Sequence, residues 1–586
     1  MHQNLSDMLK KGIKTLLFVA LLLTCNMAAW ADEDIISYDG DHYIINVDAL
    51  HPDSEMTLMD VLNMCPEFVS AHGGNLGASY VITVDDIDHY VDAETFFLYT
   101  KASEISSVTV YNFASVQHGF SGGTGLISVT YKQPAPSSTS GKVALEGSTY
   151  GNGKLYADFA TQQKNVTVRG GALANLQYAK GSMYGGGWFS SRHNTENAHL
   201  SLDWDISPKD NLKIRAYQQF FDHKERYNYD NPDESFVTPM MERYADIAAR
   251  YTRALSSQGA ELVVEGGCDY LSMKEDGERV RDSYPYFYTE LSIPCLNNDL
   301  QILAGWEIDY DNYWTRGDSR RQMLENNLYV QLCYSHGPWS FILGDRLNIL
   351  GFWQHSYNPD FEESRLSKHN NNNYLSASIG YSKGRHRVLG SIGRDTYIPG
   401  TEDFYSNIMG NTFNYIIPIQ NTLWRSELRY TYQHGSFSWS SSAHHSWRDY
   451  SFSFYERQTG IRTSVTWHKG ALRITAGADY VHDQLKSDDD GSNLYDNYYN
   501  LKLSPTLLLG KGFRLSSTLL YRSRQKFSDR HAHLLASVKL NKDLGRHCNV
   551  YADFRNIAGM PTLPLIHTDD AYYNRALVLG MTWRFW

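Results

Sequence analysis

From about Gly141 to Trp586 the chain repeats with a period of two. Leu200, Leu202, Trp204 and Ile206 alternate with Ser201, Asp203 and Asp205. Leu375, Ala377, Ile379 and Tyr381 alternate with Ser376, Ser378, Gly380 and Ser382, and Leu472, Ile474, Ala476, Ala478 and Tyr480 with Arg473, Thr475, Gly477 and Asp479. Successive side chains on a strand point to opposite faces, so each segment has one apolar and one polar face. A water-soluble sandwich gives the same alternation with the apolar face turned inward. Three features favour a transmembrane β-barrel. The segments reach ten or more residues, against about five or six in soluble sheets and roughly 9–11 for a tilted bilayer crossing. No second hydrophobic layer is encoded, and polar faces such as Arg473-x-Thr475 suit a wet lumen. The connections also alternate in length, as in outer-membrane barrels. Short ones fall at Ser207-Pro208-Lys209-Asp210, Lys383-Gly384-Arg385 and Gly510-Lys511-Gly512, and long ones near 221–236, 353–373, 398–421 and 484–498.

Counting the alternating segments predicts about 22 antiparallel strands over 141–586, or roughly 20 residues per strand with its share of connections. Sixteen or eighteen strands with longer loops fit the same residues. The last segment carries Leu577, Leu579, Met581, Trp583 and Phe585 on one face and ends on Trp586. That is the pattern by which an outer-membrane barrel addresses its assembly machinery, and it would be an aggregation hazard on a soluble sheet edge.

The N-terminal region has a different texture. Lys10, Lys11 and Lys14 precede an apolar stretch from Thr15 to Leu23, and Ala29-Trp30-Ala31 offers a small-x-small cleavage site, so residues 1–31 read as a signal peptide with Asp32 the first mature residue. Cys25 follows the bulky Thr24, which argues against a lipid-accepting cysteine. Residues 32–52 form a lead-in. Residues 53–135 read as a small α/β domain: Thr57 caps a short helix carrying Leu58, Val61 and Leu62, Pro66 ends it, and strands follow at Tyr80–Val84, Ser107–Tyr111 and Gly125–Tyr131. A Pro/Ser-rich linker over 136–140 leads to the barrel at 141–586.

These segments, in this order, resemble the TonB-dependent outer-membrane receptor family, particularly its Bacteroidetes branch. Thr57 to Leu62 with Pro66 is similar to the family's plug helix, Ser103 to Val110 (with Ile105 and Val108) to the approach to its last plug strands, and His118 to Lys132 (with Gly122, Gly123 and Gly125) to its closing glycine turn and strand. Asn556 to Gly559 and Gly580 to Phe585 resemble the final hairpin. Asp85-Asp86 stands where the family's Asp-Gly hairpin is usual, and no carboxypeptidase-like N-terminal domain precedes the plug. The resemblance implies a barrel closed by a plug and energised uptake of a siderophore, haem, cobalamin, glycan or peptide. TonB and its inner-membrane complex would pull on an N-terminal box. Asp34-Ile35-Ile36-Ser37-Tyr38 is the candidate box, with an ordinary strand start as the other reading. A barrel acting without energy as a surface binding or assembly partner of a lipoprotein is the alternative function, and a passive porin a third.

Composition refines this. The 586 residues include Tyr 42, Trp 13 and Phe 24, and amphipathic aromatics concentrate at membrane interfaces. A net charge of −12 argues against nucleic acid as a partner. The cysteines have no disulfide or zinc spacing. No nucleophile elbow, zinc-protease helix or phosphate loop is found, so the expectation is a non-enzyme without a cofactor. Asp488 to Asn493 begins like a calcium loop but has Tyr499 at its closing position. His444-His445 would face opposite sides of a strand, and Arg316-Gly317-Asp318 is a chance tripeptide. For ligand capture the aromatic loops are the candidates: Tyr313, Trp314, Trp353, His355, Phe404, Tyr405, Tyr498 and Tyr499. Aromatic faces stack on rings and lose little entropy on ordering.

Overall fold

The computed structural model describes residues 36–585 apart from 40–41, 51–55, 59–60, 63–80, 90–95, 97–99, 112–115, 118–125, 150, 183–187, 229–235, 276–277, 316–318, 357–364, 398–420, 451–453, 488–491, 525–531 and 558–575. The proposed cleavage site (Ala29, Ala31, Asp32), Asp34, Ile35, Pro66, Gly122, Gly123, Gly125, Phe404, Tyr405 and Trp586 therefore lie outside the described residues, as do Arg316 to Asp318 and Asp488 to Gly491.

Six N-terminal strands form one small sheet. They are β1 (Ile36–Asp39), β2 (His42–Asn46), β3 (Val81–Val84), β4 (Ile87–His89), β5 (Ile105–Tyr111) and β6 (Leu126–Tyr131), in the order β1-β2-β5-β6-β3-β4. Only β3 and β6 run parallel. Leu58, Val61 and Leu62 are fully buried in its core with Tyr43, Ile45 and Ile82, as the one-sided spacing predicts. Val61 N–H donates to the Thr57 carbonyl, a helical bond that starts at the expected residue. Ile105 and Val108 are buried in the same core.

Twenty-two antiparallel strands then close a barrel in chain order, from β7 (Thr139–Ser148) to β28 (Ala576–Phe585). The barrel begins at Thr139, within the stretch read as linker. Its sole non-sequential ladder is the seam, where Val578–Phe585 pairs with Gly141–Ser148. The outward faces are the apolar ones: Leu200, Leu343, Leu428, Ile461 and Leu579 are all more than half exposed, whereas the alternating polar residues are buried inside. A soluble sandwich would show the reverse. Outward aromatics gather near both strand ends. Trp204, Trp339, Trp439 and Trp583 sit near the short turns, and Tyr178, Trp424, Trp447 and Tyr495 toward the other end.

The short turns lie where the sequence places them. Ser207 Oγ donates to Asp210 Oδ2 at 2.6 Å, and Gly384 takes the left-handed φ of 62° that its tight hairpin requires. The long connections differ from expectation. The predicted loop near 398–421 lies outside the described residues up to 420; much of 221–236, 353–373 and 484–498 is strand, because β11 (Asp210–Asn228), β17 (Trp339–Ser356), β18 (Arg365–Lys383), β23 (Leu472–Ser487) and β24 (Asn493–Gly510) run on well past ten residues. Asn370 to Asn373 reads as loop by composition, yet it pairs along Leu347 to Leu350, and neighbouring ladders override its low strand propensity.

Candidate functional site

The plug sheet is fastened inside the barrel by wall cations that bond to its backbone. Its β3–β4 hairpin turns at Asp85 and Asp86, both with left-handed backbone (φ 50° and 70°). Arg169 Nη1 donates to Asp85 Oδ2 at 3.1 Å and Arg169 Nε to the Lys132 carbonyl at 3.0 Å. Lys213 Nζ donates to the Asp85 carbonyl and to Asp86 Oδ2, each at 2.9 Å. Arg250 Nη1 reaches the Asp86 carbonyl at 2.9 Å, and Arg215 Nη1 the Ile87 carbonyl at 3.2 Å. These cations are themselves fixed by wall carboxylates: Arg215 Nη2 lies 2.8 Å from Asp246 and Arg250 Nη1 3.0 Å from Glu265. Burial pushes the Asp85 carboxyl up, while Arg169, the Tyr131 N–H and Lys213 pull it down.

Two further grips lie elsewhere on the wall. Arg346 Nη1 donates to the carbonyls of Val116 (3.3 Å) and Gln117 (3.1 Å), and its Nη2 pairs with Glu307. Arg473 donates to the Ala49 carbonyl, so the lumenal face expected for Arg473 and Thr475 is the observed one. A cavity between plug and wall is lined by Lys101, Glu104, Tyr156, Arg169, His199 and Arg215, among others. In it Glu104 faces His199 Nε2 at 3.6 Å. Lys142 on β7 bonds Ser103 Oγ and lies 3.0 Å from Asp158. Burial raises the Glu104 carboxyl to about 7, with Lys142 opposing, Asp158 reinforcing, and Lys101 and Arg169 opposing.

The candidate ligand residues divide between faces. Tyr313, only 2% exposed, and Tyr498 turn into the lumen; the Arg321 guanidinium sits 5.8 Å from the Tyr313 ring centre. Trp314, Trp353, His355 and Tyr499 occupy the opposite parity of their strands, and Tyr499 packs outside against Tyr521 at 5.7 Å. Tyr313 and Trp314, and Tyr498 and Tyr499, therefore cannot grip one lumenal ligand as neighbours. Sequence reading missed Arg321, Met323, Leu350 and Phe352, the last three packed together inside. Alternation assigns all four to the lumen once the strand is in register. His444 and His445 face opposite sides, as the parity argument requires, and His445 Nδ1 bonds Thr459 Oγ1 at 2.8 Å. Of the candidate box, Ile36 to Tyr38 lies in β1 and pairs with Tyr43 to Ile45 of β2.

Neither a family model nor a curated protein sequence matches the chain. Solved structures do. The siderophore receptor PirA from Pseudomonas aeruginosa superposes with TM-score 0.68 at 11% identity, covering 94% of this chain and 100% of its own. The fold is that of a TonB-dependent outer-membrane receptor. The copper transporter OprC gives TM-score 0.72 at 11% identity, covering 95% of this chain and 100% of its own. The siderophore receptor PiuA from Acinetobacter baumannii gives 0.71 at 10% identity, covering 96% and 99%. At these identities the likeness is one of architecture, a barrel of this size with an N-terminal plug in its lumen.

Proposed function

We propose that this chain is a receptor in the outer membrane of a Gram-negative bacterium that captures a scarce nutrient (a siderophore, haem, cobalamin, glycan or peptide) and passes it inward past its plug when TonB and the inner-membrane complex pull. The long-loop end faces outward. Outer-membrane lipids cover the apolar band, and the barrel assembly machinery reads the last strand through Trp583, Phe585 and Trp586. The observation that carries this reading is the plug's attachment. A sheet held across a wide lumen by a few side-chain bonds to its own carbonyls blocks passage at rest, yet can be displaced without unfolding the barrel. The solved receptors that share the architecture include ones titled for siderophores and for copper. Nutrient uptake measured in wild-type and TonB-deficient strains tests it: uptake should be lost without TonB, and unchanged uptake would sink the energised mechanism.

A second reading is favoured by β1. The candidate box Asp34 to Tyr38 is partly occupied as a strand of the plug sheet, so a TonB partner must add to its free edge or peel it away. If it does neither, the barrel serves as a non-energised binding or assembly partner of a surface lipoprotein. Stoichiometric co-purification of a lipoprotein, with no binding of the TonB periplasmic domain to the purified chain, would establish that role.

A further inference from the structure

In the outer half of the lumen, three adjacent strands present potential metal donors on one rung. His193 of β10 (Trp188–Ser207) lies directly opposite His223 of β11, and His223 directly opposite Met240 of β12 (Phe236–Ala254). Directly opposite residues share a face, here the inner one: His193 is 4% and His223 7% exposed. The two imidazoles are in contact, with ring centres 3.8 Å apart and planes at 53°. Phe221 packs against both, at 5.7 and 5.4 Å. On the next rung Thr195, Phe221, Glu242 and Met273 follow in the same order across the strands. Six residues along β11 from His223, or about 20 Å, Tyr217 packs on the plug core. Along the wall the imidazole pair thus lies nearer the long-loop end than the contact of Tyr217 with the plug core.

We propose that His193, His223 and Met240 form a copper(I) site on the entry path. This rests on the receptor reading above for the direction of approach and not for the donors themselves. Opposed residues of an antiparallel pair have Cβ atoms about 4.5–5.5 Å apart, so side-chain rotation alone brings a ring nitrogen of each imidazole to one ion while the ladder stays in register. Imidazole by itself accepts zinc, copper, nickel or iron. Among the described residues no group of three or more His, Cys, Asp and Glu is placed to hold a metal, so among them a third donor is of another kind. The Met240 thioether is soft, and soft donors select copper(I) over zinc. The inward positions of the surrounding rungs, Asn175, Gln177, Thr195, Phe221, Glu242 and Met273, carry no cation to repel the ion.

The test uses the full-length protein in detergent, titrated anaerobically with copper(I) against a chromogenic chelator. One copper per chain is expected, with two nitrogen and one sulfur neighbour by X-ray absorption. His193→Ala and His223→Ala should each weaken binding by roughly tenfold or more. Met240→Leu should remove the sulfur neighbour and weaken copper(I) without changing zinc(II) binding. The heated-against-unheated gel shift of a closed barrel confirms that each variant folds, and His193→Asn with His223→Asn replaces any that does not. Copper(I) binding unchanged in the double histidine variant, or a copper shell lacking sulfur in the wild type, would overturn the site. Binding as described without TonB-dependent copper accumulation overturns energised uptake and leaves the site standing. TonB-dependent uptake of another nutrient with no copper binding does the opposite.

Discussion

Asp85 and Asp86 show what a single residue does for the plug. Left-handed backbone costs an L-residue about 1–2 kcal/mol, and glycine would avoid that cost. The two aspartates differ in what they return. Asp86 contributes an exposed carboxylate to Lys213, and exposed pairs contribute little. Asp85 holds both the Tyr131 N–H (2.9 Å) and Arg169. Asp86→Gly should therefore leave the hairpin as stable or stabilise it by up to about 1 kcal/mol, whereas Asp85→Ala should cost roughly 3 kcal/mol by stranding Arg169. Hydrogen exchange on β3 and β6 separates the two. Glu104 adds a pH dependence. Its folded carboxyl titrates near 7, above the ordinary 4.5, so its contribution to plug stability is complete below about 4.5 and declines as pH rises through 7. Plug protection should fall across that window, after correction for intrinsic exchange, and Glu104→Gln should flatten the fall. The sequence marks Asp85-Asp86 as a departure from Asp-Gly. It does not show the reason, because the compensating cations lie 84 to 164 residues further along the chain.

At the scale of the strand, alternation carried the most information. It assigned the correct face to Leu200, Ile379, Tyr480 and Met581, and it identified lipid as the outward solvent only together with strand length. Ile461, 62% exposed at the centre of the strand Phe454–Lys469, makes this testable. Ile461→Arg should destabilise the barrel by about 2–4 kcal/mol when refolded into vesicles, where the same change on a water-facing strand would be nearly neutral. Alternation fails where register shifts. The hairpin through Ser207 to Asp210 by itself would pair His193 with Lys224 and leave His223 on the opposite face. A bulge between Asp205 and Ser207 moves the ladder by one residue and sets His193 against His223. No local signal in Asp205-Ile206-Ser207 announces that bulge, which is why His444-His445 stood out in the sequence and His193 with His223 did not.

For the whole molecule, parity tells which side chains face the lumen but not how the plug is turned within it. The placement of Asp85 against Arg169 or of Ala49 against Arg473 is a tertiary fact, fixed by many weak constraints together. The same placement predicts electrical behaviour. In planar bilayers the full chain should carry no steady current. Urea should open it at a concentration well below that which melts the barrel, and Arg250→Ala with Arg346→Ala should lower that concentration further, since each grips plug carbonyls. Steady conductance by the untreated protein would instead mark a porin.

The seam between β7 and β28 has a kinetic consequence. Every other barrel ladder joins strands adjacent in sequence and can form as a local hairpin, whereas this one joins segments more than four hundred residues apart. Until it forms, the nascent sheet has two unpaired edges that can recruit other chains. The same β7 carries Lys142, which bonds Ser103 of the plug from the lumenal side. One strand thus reports on both events, and a chain whose plug is misplaced presents a disturbed edge at the only ladder where closure can be refused.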